Sequence, residues 1–417
     1  MKRFSRLVLL ASVCLLLFSV ADAGAQSGPL SFSSSTQLLW GDDLLADNQV
    51  IVAQYLRFGL NPEGKKYSLS GYGRLWTALN DGSVRDNDFN TRLYYLFMDF
   101  NPTDTVSVRV GRQFTAFTAG TSVMDGIRAD VHKIGPVGVT VAAGRDVIYS
   151  LDSEFTRGGN YFAGIDLHLE NVKATQLGVS YVRKYNEGDL AREELGLNAR
   201  RFYRYFSPYA ELRYDLLSRT FDDALAGFDI FPMSNLKIKA EFYHMYPTFD
   251  TTSIYSVFAV DKFREYLLRA EYNLDAPVTV YAQYSRQTYD EDPGADVYTV
   301  GAMANPTDKL TVNASVDYRK GYSGYNGSTG NSDGKLFGFQ VYGDYRLRKE
   351  LLISAGVQYD AFNRPEDITG EHSAQRYWIG GKWIATKNVS FSARFEDNAN
   401  PNFKHRTLGR LTMDWNL

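Results

Sequence analysis

The chain is almost without cysteine: Cys14 is the single one among 417 residues. A disulfide framework is therefore excluded, and so is a cysteine-based metal site. Long apolar runs are as scarce. A bundle of membrane helices needs several stretches of about 20 apolar residues, and only Leu7–Val20 approaches that length. Charge of one sign is missing too. The 45 Lys and Arg stand against 48 Asp and Glu, a formal net charge of -3, so no nucleic-acid partner is expected. Disorder fits no better, because 14% of the residues are aromatic and disordered chains are poor in them. What the chain has in quantity is tyrosine (29), phenylalanine (26) and glycine (35). That leaves a large, aromatic-rich, mostly β protein.

Its N-terminus reads as an address. Lys2, Arg3 and Arg6 precede the apolar stretch Leu7–Val20, and small residues follow as Ala21-Asp22-Ala23 and Ala23-Gly24-Ala25. This is the layout of a cleaved secretory signal peptide, too short for a membrane span. Residues 1–25 are taken as that peptide and 26–417 as one domain. Cys14 lies inside the apolar stretch, after Val13 rather than a small residue, so a lipoprotein is not indicated.

Beyond it, period-two alternation recurs to the last residue. In Leu310–Tyr318 one face carries Leu310, Val312, Ala314, Val316 and Tyr318; the other carries Thr311, Asn313, Ser315 and Asp317. Val389–Glu396, Leu236–Tyr243 and Val278–Ser285 alternate in the same way. Each segment is about ten residues, the length with which a tilted strand crosses a bilayer. Connections alternate between short and long. Short turns stand at Asn101-Pro102-Thr103-Asp104, Ile134-Gly135-Pro136, Phe231–Asn235 and Asn305-Pro306-Thr307-Asp308. Longer polar stretches cover 114–124, 146–160, 186–201, 246–262, 320–335 and 361–374. Short turns on one side and long loops on the other are the plan of an all-β, antiparallel, up-and-down transmembrane barrel. With 186 to about 221 read as one extracellular excursion, the count is about 20 strands, within a range of roughly 18–22. A β-sandwich would hold too few strands, and no repeat of propeller length is present.

Aromatic residues end the apolar faces. Trp40, Tyr318, Tyr345, Tyr359, Tyr377, Trp383 and Trp415 are expected in the two interfacial girdles. The closing segment Leu411-Thr412-Met413-Asp414-Trp415-Asn416-Leu417 is apolar at every second position. It resembles the C-terminal strand of Gram-negative outer-membrane β-barrels of the porin-like superfamily, although that family most often ends in Phe with Tyr two before. Val108-Arg109-Val110-Gly111-Arg112-Gln113 also resembles a porin-like strand. The resemblance implies an integral outer-membrane protein, surrounded by outer-membrane lipid and recognised through its last strand by the barrel-insertion machinery.

If the apolar face meets lipid, the other face lines the lumen. The pore-lining candidates are Arg109, Arg128, Asp130, Asp166, Lys237, Lys239, Glu241, Arg269, Asp317, Arg319, Asp344, Arg346, Arg376, Lys382, Arg394 and Glu396. Signs are mixed, which suits salt bridges that brace the wall or opposed charges that orient solutes. Alternation starts soon after residue 25, so no N-terminal plug is expected; the loops 114–124 and 146–160 are the candidates to fold inward. Asp130-Val131-His132 and Asp166-Leu167-His168 form matching pairs near one mouth. One intervening strand would set them roughly 10 Å apart, too far to share an ion, so no metal is expected. G-x-S-x-G, H-E-x-x-H and P-loop patterns are absent, and outward-facing His244 has no serine placed beside it, so no enzyme is expected. The expected function is passive passage of small hydrophilic solutes or ions through a charged aqueous lumen. The alternative is a sheath around a periplasmic partner, such as a multihaem cytochrome, or around an exported polymer. The chain has no C-x-x-C-H, so haem would belong to the partner and no cofactor is expected.

Overall fold

A computed structural model of the chain describes residues 29–41, 49–79, 90–149, 154–155, 158–170, 172–246, 262–274, 277–290, 294–321, 334–363, 373–400 and 403–417. The expected signal peptide, residues 1–25, lies outside them. Among the described residues, strands follow one another without a helix. They are β1 (Leu30–Gly41), β2 (Gln49–Leu60), β3 (Tyr67–Ala78), β4 (Asn90–Thr103), β5 (Val106–Phe117), β6 (Gly120–Ile134), β7 (Val137–Asp146), β8 (Ile148–Tyr149), β9 (Glu154–Phe155), β10 (Tyr161–Leu169), β11 (Thr175–Asn186) and β12 (Asp189–Arg201). The second half adds β13 (Phe206–Asp215), β14 (Thr220–Met233), β15 (Leu236–Met245), β16 (Phe263–Asn273), β17 (Val278–Tyr289), β18 (Ala295–Thr307), β19 (Leu310–Gly321), β20 (Lys335–Arg348), β21 (Leu351–Asn363), β22 (Ser373–Ile384), β23 (Val389–Asn400) and β24 (Phe403–Asn416).

Twenty-two of these form one antiparallel sheet; β8 and β9 make a separate small hairpin. Each strand of the large sheet pairs with the next, and β1 pairs with β24 from Ser33↔Asn416 to Gly41↔Leu408. The sheet is therefore closed and has no free edge, the one β arrangement that can satisfy every backbone group inside a bilayer. The all-β barrel expected from the alternation is present, with 22 strands where about 20 were expected. The difference lies in 186 to about 221. Instead of one excursion, this stretch holds β12, which follows β11 through a two-residue turn at Glu187-Gly188, and β13, which follows β12 through the short connection Phe202–Tyr205. Glu187, at φ 54°, and Gly188, at φ 97°, take the left-handed conformations that a tight hairpin requires. The charged Arg192, Glu193 and Glu194 within β12 disguise the alternation.

One rim holds the start of β1, the end of β24 and the short connections, among them residues 104–105, 135–136, 234–235, 308–309 and 349–350. Prolines explain several of these turns. Register shifts separate Phe100 from Thr103, Ile230 from Met233 and Ala304 from Thr307. Pro102, Pro232 and Pro306 sit in the skipped positions, where a residue without an N–H costs no ladder hydrogen bond. At the first turn, Thr103 Oγ1 accepts from the backbone N–H of Thr105 and of Val106. The opposite rim holds the other strand ends, among them Gly41 and Gln49, Ala78 and Asn90, Gly321 and Lys335, and Asn363 and Ser373.

The outer face is apolar. Val110, Ile127, Val141, Ile165, Val179, Val300, Val316, Ile379 and Phe395 stand exposed on successive strands. An isolated soluble protein does not present so wide an apolar belt; a lipid-facing barrel must. Between these positions the side chains point to the enclosed space.

Candidate functional site

Strand register fixes which side chains share the inner face. Arg109 lies opposite both Asp99 and Arg128, and Asp130 opposite Ser107 and Thr140. The like charges Arg109 and Arg128 are each neutralised separately. Arg109 donates to Asp99 through Nε (2.7 Å) and an Nη (3.1 Å), a bidentate pair. Arg128 donates to Asp130, two residues along its own strand, at 2.8 Å, and Thr140 Oγ1 donates to the same carboxylate at 2.7 Å. Lys239 and Glu241 repeat the two-residue spacing at 2.6 Å, as do Arg269 and Glu271 at 2.7 Å. Lys237 reaches Asp229 at 3.2 Å. Thr299 Oγ1 donates to Asp317 at 2.6 Å.

All sixteen charged candidates fall on this face by register, including Asp166 on β10, Arg319 opposite Val297, Asp344 opposite Thr311 and Lys382 opposite Ser392. Arg319, Asp344, Arg346 and Lys382 make no ion pair among the described residues. Alternation along one strand carried the assignment of faces but not the pairing two residues apart.

On β22, β23 and β24 the balance tips to positive. Arg376 forms a bidentate pair with Glu396 (2.8 and 2.9 Å), and Arg394 reaches the same carboxylate at 3.2 Å. Arg394 also stands directly opposite Arg410 in the ladder. With Arg406 they line a cavity of about 490 Å³ whose only acidic side chain is Glu396. Like charges placed opposite one another are unfavourable in a sheet, and the four arginines leave this part of the wall with an excess of positive charge.

The opposite part of the wall carries a second layer. The β5–β6 hairpin, whose tip is Thr118-Ala119, leans across β7 onto the inner face of β10, β11 and β12. The Ala119 N–H donates to Ser180 Oγ at 2.8 Å, and Asn198 Nδ2 donates to Thr118 Oγ1 at 2.6 Å. Phe117 stacks on Phe162 with ring centroids 6.2 Å apart. Together with Ala119, Met124, Ala142 and Val182 they form the barrel's buried apolar cluster. The bend has a local cause. Gly111, Gly126 and Gly144 are consecutive ladder partners across β5, β6 and β7. Gly111 has φ 125°, and a Cβ there would lie 2.3 Å from the Leu96 carbonyl oxygen. Room for the tip comes from Gly196, where a Cβ would stand 2.2 Å from Ala119 N. The stretch 114–124, a candidate loop in the sequence, is thus the end of the β5–β6 hairpin, packed on the inner face. From 146–160, Tyr149 reaches back to β4, its hydroxyl donating to the Leu93 carbonyl at 2.9 Å while Arg92 lies over its ring.

At the short-turn rim the two D-x-H pairs meet, contrary to the separation expected for them. The donor atoms of His132, His168 and Glu170 lie within 4.8 Å of one another. The 10 Å estimate assumed side chains standing straight off a flat sheet. Instead, a bulge interrupts the β6–β7 ladder between Val131 and Ile134, with Lys133 at φ 61°. Between the histidines lies Gly138, where a Cβ would sit 2.4 Å from His168 Nε2 and 2.6 Å from Glu170 Oε1. Glu170, the first residue after β10, was not among the expected site residues; its place two residues past His168 was the available signal. The Lys133 N–H donates to Oε2 at 2.6 Å, and His132 Nδ1 is 2.6 Å from Oε1. The Lys133 backbone bond first, and the His132 imidazole second, hold the Glu170 carboxyl down to about 2.

No known protein-family model matches the chain, and no curated protein sequence does. Solved structures do match. The siderophore receptor PirA from Pseudomonas aeruginosa is similar over 93% of this chain and 80% of its own, at 10% identity and a TM-score of 0.59. The translocation pore of the P pilus usher, PapC, is similar over 93% of this chain and 99% of its own, at 11% identity and a TM-score of 0.50. These likenesses are of fold: a closed, antiparallel β-barrel.

On this barrel the expected girdle residues fall on the outer face by register. Tyr318, Tyr345, Tyr377 and Trp383 are exposed there, and Tyr359 lies opposite Phe339 and Trp40 opposite Gly409. Trp415 also has outward register but is covered, 5% exposed and 5.4 Å from the Phe32 ring across the β1–β24 seam. It seals the closure.

Proposed function

We propose that the barrel resides in the outer membrane and gives small hydrophilic solutes or ions passive passage through a charged aqueous lumen, narrowed by the inward β5–β6 hairpin. The observation that carries this reading is the pairing of a closed 22-strand wall with a hairpin packed on its inner face. A barrel of this circumference encloses far more space than its own wall side chains fill. The hairpin sets the width. Arg376, Arg394, Arg406 and Arg410 give one wall a preference for anions, and the sixteen inner charges make the surface wettable. The short-turn rim faces the periplasm, the leader 1–25 is removed on export, and the last strand is the segment read by the insertion machinery. Enzymatic activity forms no part of this role.

Breadth also supports the second reading, a sheath around a periplasmic protein partner or an exported polymer, because barrels of 22 strands commonly hold an occupant. Planar-bilayer recording separates the two. Purified protein alone should give stepwise, ohmic conductance, with a reversal potential in a salt gradient shifted toward anion selectivity. A tight membrane with the protein inserted would overturn the channel reading and favour the sheath.

A further inference from the structure

The cluster at the short-turn rim has the composition and second shell of a metal centre. Two imidazoles and one carboxylate are a donor set suited to Zn²⁺ and its neighbours Ni²⁺ and Cu²⁺; Mg²⁺ and Ca²⁺ want oxygen ligands throughout. His168 is oriented as a ligand would be. Its Nδ1 is 2.8 Å from Asp166 Oδ2, leaving Nε2 to point at Glu170 Oε1 at 3.4 Å. A carboxylate behind a histidine fixes its tautomer and strengthens it as a donor. Donor atoms around a tetrahedral zinc stand about 3.3 Å apart, given bonds of about 2.0 Å. The His168–Glu170 separation already matches that spacing. His132 Nδ1, at 2.6 Å from Oε1, must withdraw by a fraction of an ångström. Glu170 is prepared for its part as well: the Lys133 N–H occupies Oε2 and leaves Oε1 to the cluster.

From this arrangement we propose that His132 Nδ1, His168 Nε2 and Glu170 Oε1 bind one divalent ion of the zinc class at the short-turn mouth, with Asp166 as the positioning residue behind His168. Entry of the ion replaces the proton on His132 Nδ1, which transfers through water to Nε2 of the same ring. Three protein ligands leave a fourth position. The side chain of His132 is 41% exposed and that of His168 30%, so this position opens to water, where a donor group of a passing solute can enter. The ion also ties the ends of β6 and β10 across β7. Gly138 is the cradle: any side chain at that position would occupy the space in which the three donors converge.

The test uses the full barrel purified without a histidine tag, folded in detergent and stripped with a chelator. Co²⁺ is added as a spectroscopic probe and then displaced by Zn²⁺. The wild type should develop the visible bands of four-coordinate cobalt, saturating at one equivalent and lost on adding Zn²⁺. His168→Ala and Gly138→Ala should each abolish the bands, the second without removing a ligand. Asp166→Asn should weaken binding by about 10- to 100-fold at unchanged stoichiometry. His405→Ala, altering a histidine paired only with Asp397 at 3.2 Å, should leave the titration unchanged. Heat-modifiable gel migration verifies that each variant is folded. Absence of saturable binding in the wild type, or bands that persist undiminished in folded His168→Ala, would overturn the assignment.

Discussion

Two parts of the same wall use one alternating pattern to opposite ends. Between β7 and β12 the inner positions beneath the β5–β6 hairpin tip are small or apolar, such as Ala142, Gly164, Ser180, Val182 and Gly196, and a second layer of chain packs on them. From β15 to β24 the inner positions carry Lys237, Lys239, Glu241, Arg269, Arg376, Arg394 and Glu396, and among the described residues the wall is a single layer. Alternation decides which face a residue takes. The size and charge of the inward residues decide whether that face holds a partner layer or stays wet.

The largest expected effect lies in a property both regions share, the lipid-facing side. Val300, among the most exposed apolar residues at 62%, is mid-strand in β18. Val300→Arg should cost about 2–4 kcal/mol in denaturant unfolding from lipid vesicles, the range for arginine near the bilayer midplane. Ser315→Arg, on the inner face of neighbouring β19, should change stability little. Equal costs would mean the faces are misassigned. Next comes the layered region. Gly196→Leu drives a side chain into the Thr118-Ala119 tip, which should cost about 1–3 kcal/mol as overpacking, free the hairpin and raise single-channel conductance. Leucine at Ser315 in the single-layer region should do neither.

The single-layer wall should answer in selectivity rather than stability. Replacing Arg376, Arg394 and Arg410 together by Ala should shift the reversal potential toward cations. Arg376 and Arg394 have half-exposed side chains, so stability should change by less than about 1 kcal/mol. The smallest effect is expected at the rim. Because the Glu170 carboxyl is held down to about 2, its stabilising contribution is complete above its ordinary value and is lost as pH falls from about 4.5 toward about 2. The thermal midpoint of the wild type should therefore decline across that window more than that of Glu170→Gln.

Much of this architecture could be read from residue order alone. Period-two alternation, the Asn-Pro-Thr-Asp turns and the apolar closing strand lead to a closed barrel because each reports a local backbone requirement: a pleat, a bulge without an N–H, an edge to be paired. The stretch 114–124 stood out only as a candidate, since a polar segment at a rim has two directions open to it and alternation does not choose between them. Two features were hidden. The strand β12 carries the charged run Arg192-Glu193-Glu194, which masks its alternation, and the turn at Glu187-Gly188 is too short to stand out. The meeting of His132, His168 and Glu170 depends on a bulge at Lys133 and on the missing side chain of Gly138, which alternation does not encode.

The proposed passage of solutes requires an open lumen whose width is set by the β5–β6 hairpin. Its most direct test is planar-bilayer conductance of the wild type beside a variant in which residues 115–122 are replaced by a two-residue turn. Ohmic steps in the wild type, and steps about twofold or more larger in the shortened variant, are predicted, because conductance follows the open cross-section of the pore. Equal steps in the two proteins, or none in either, would contradict it.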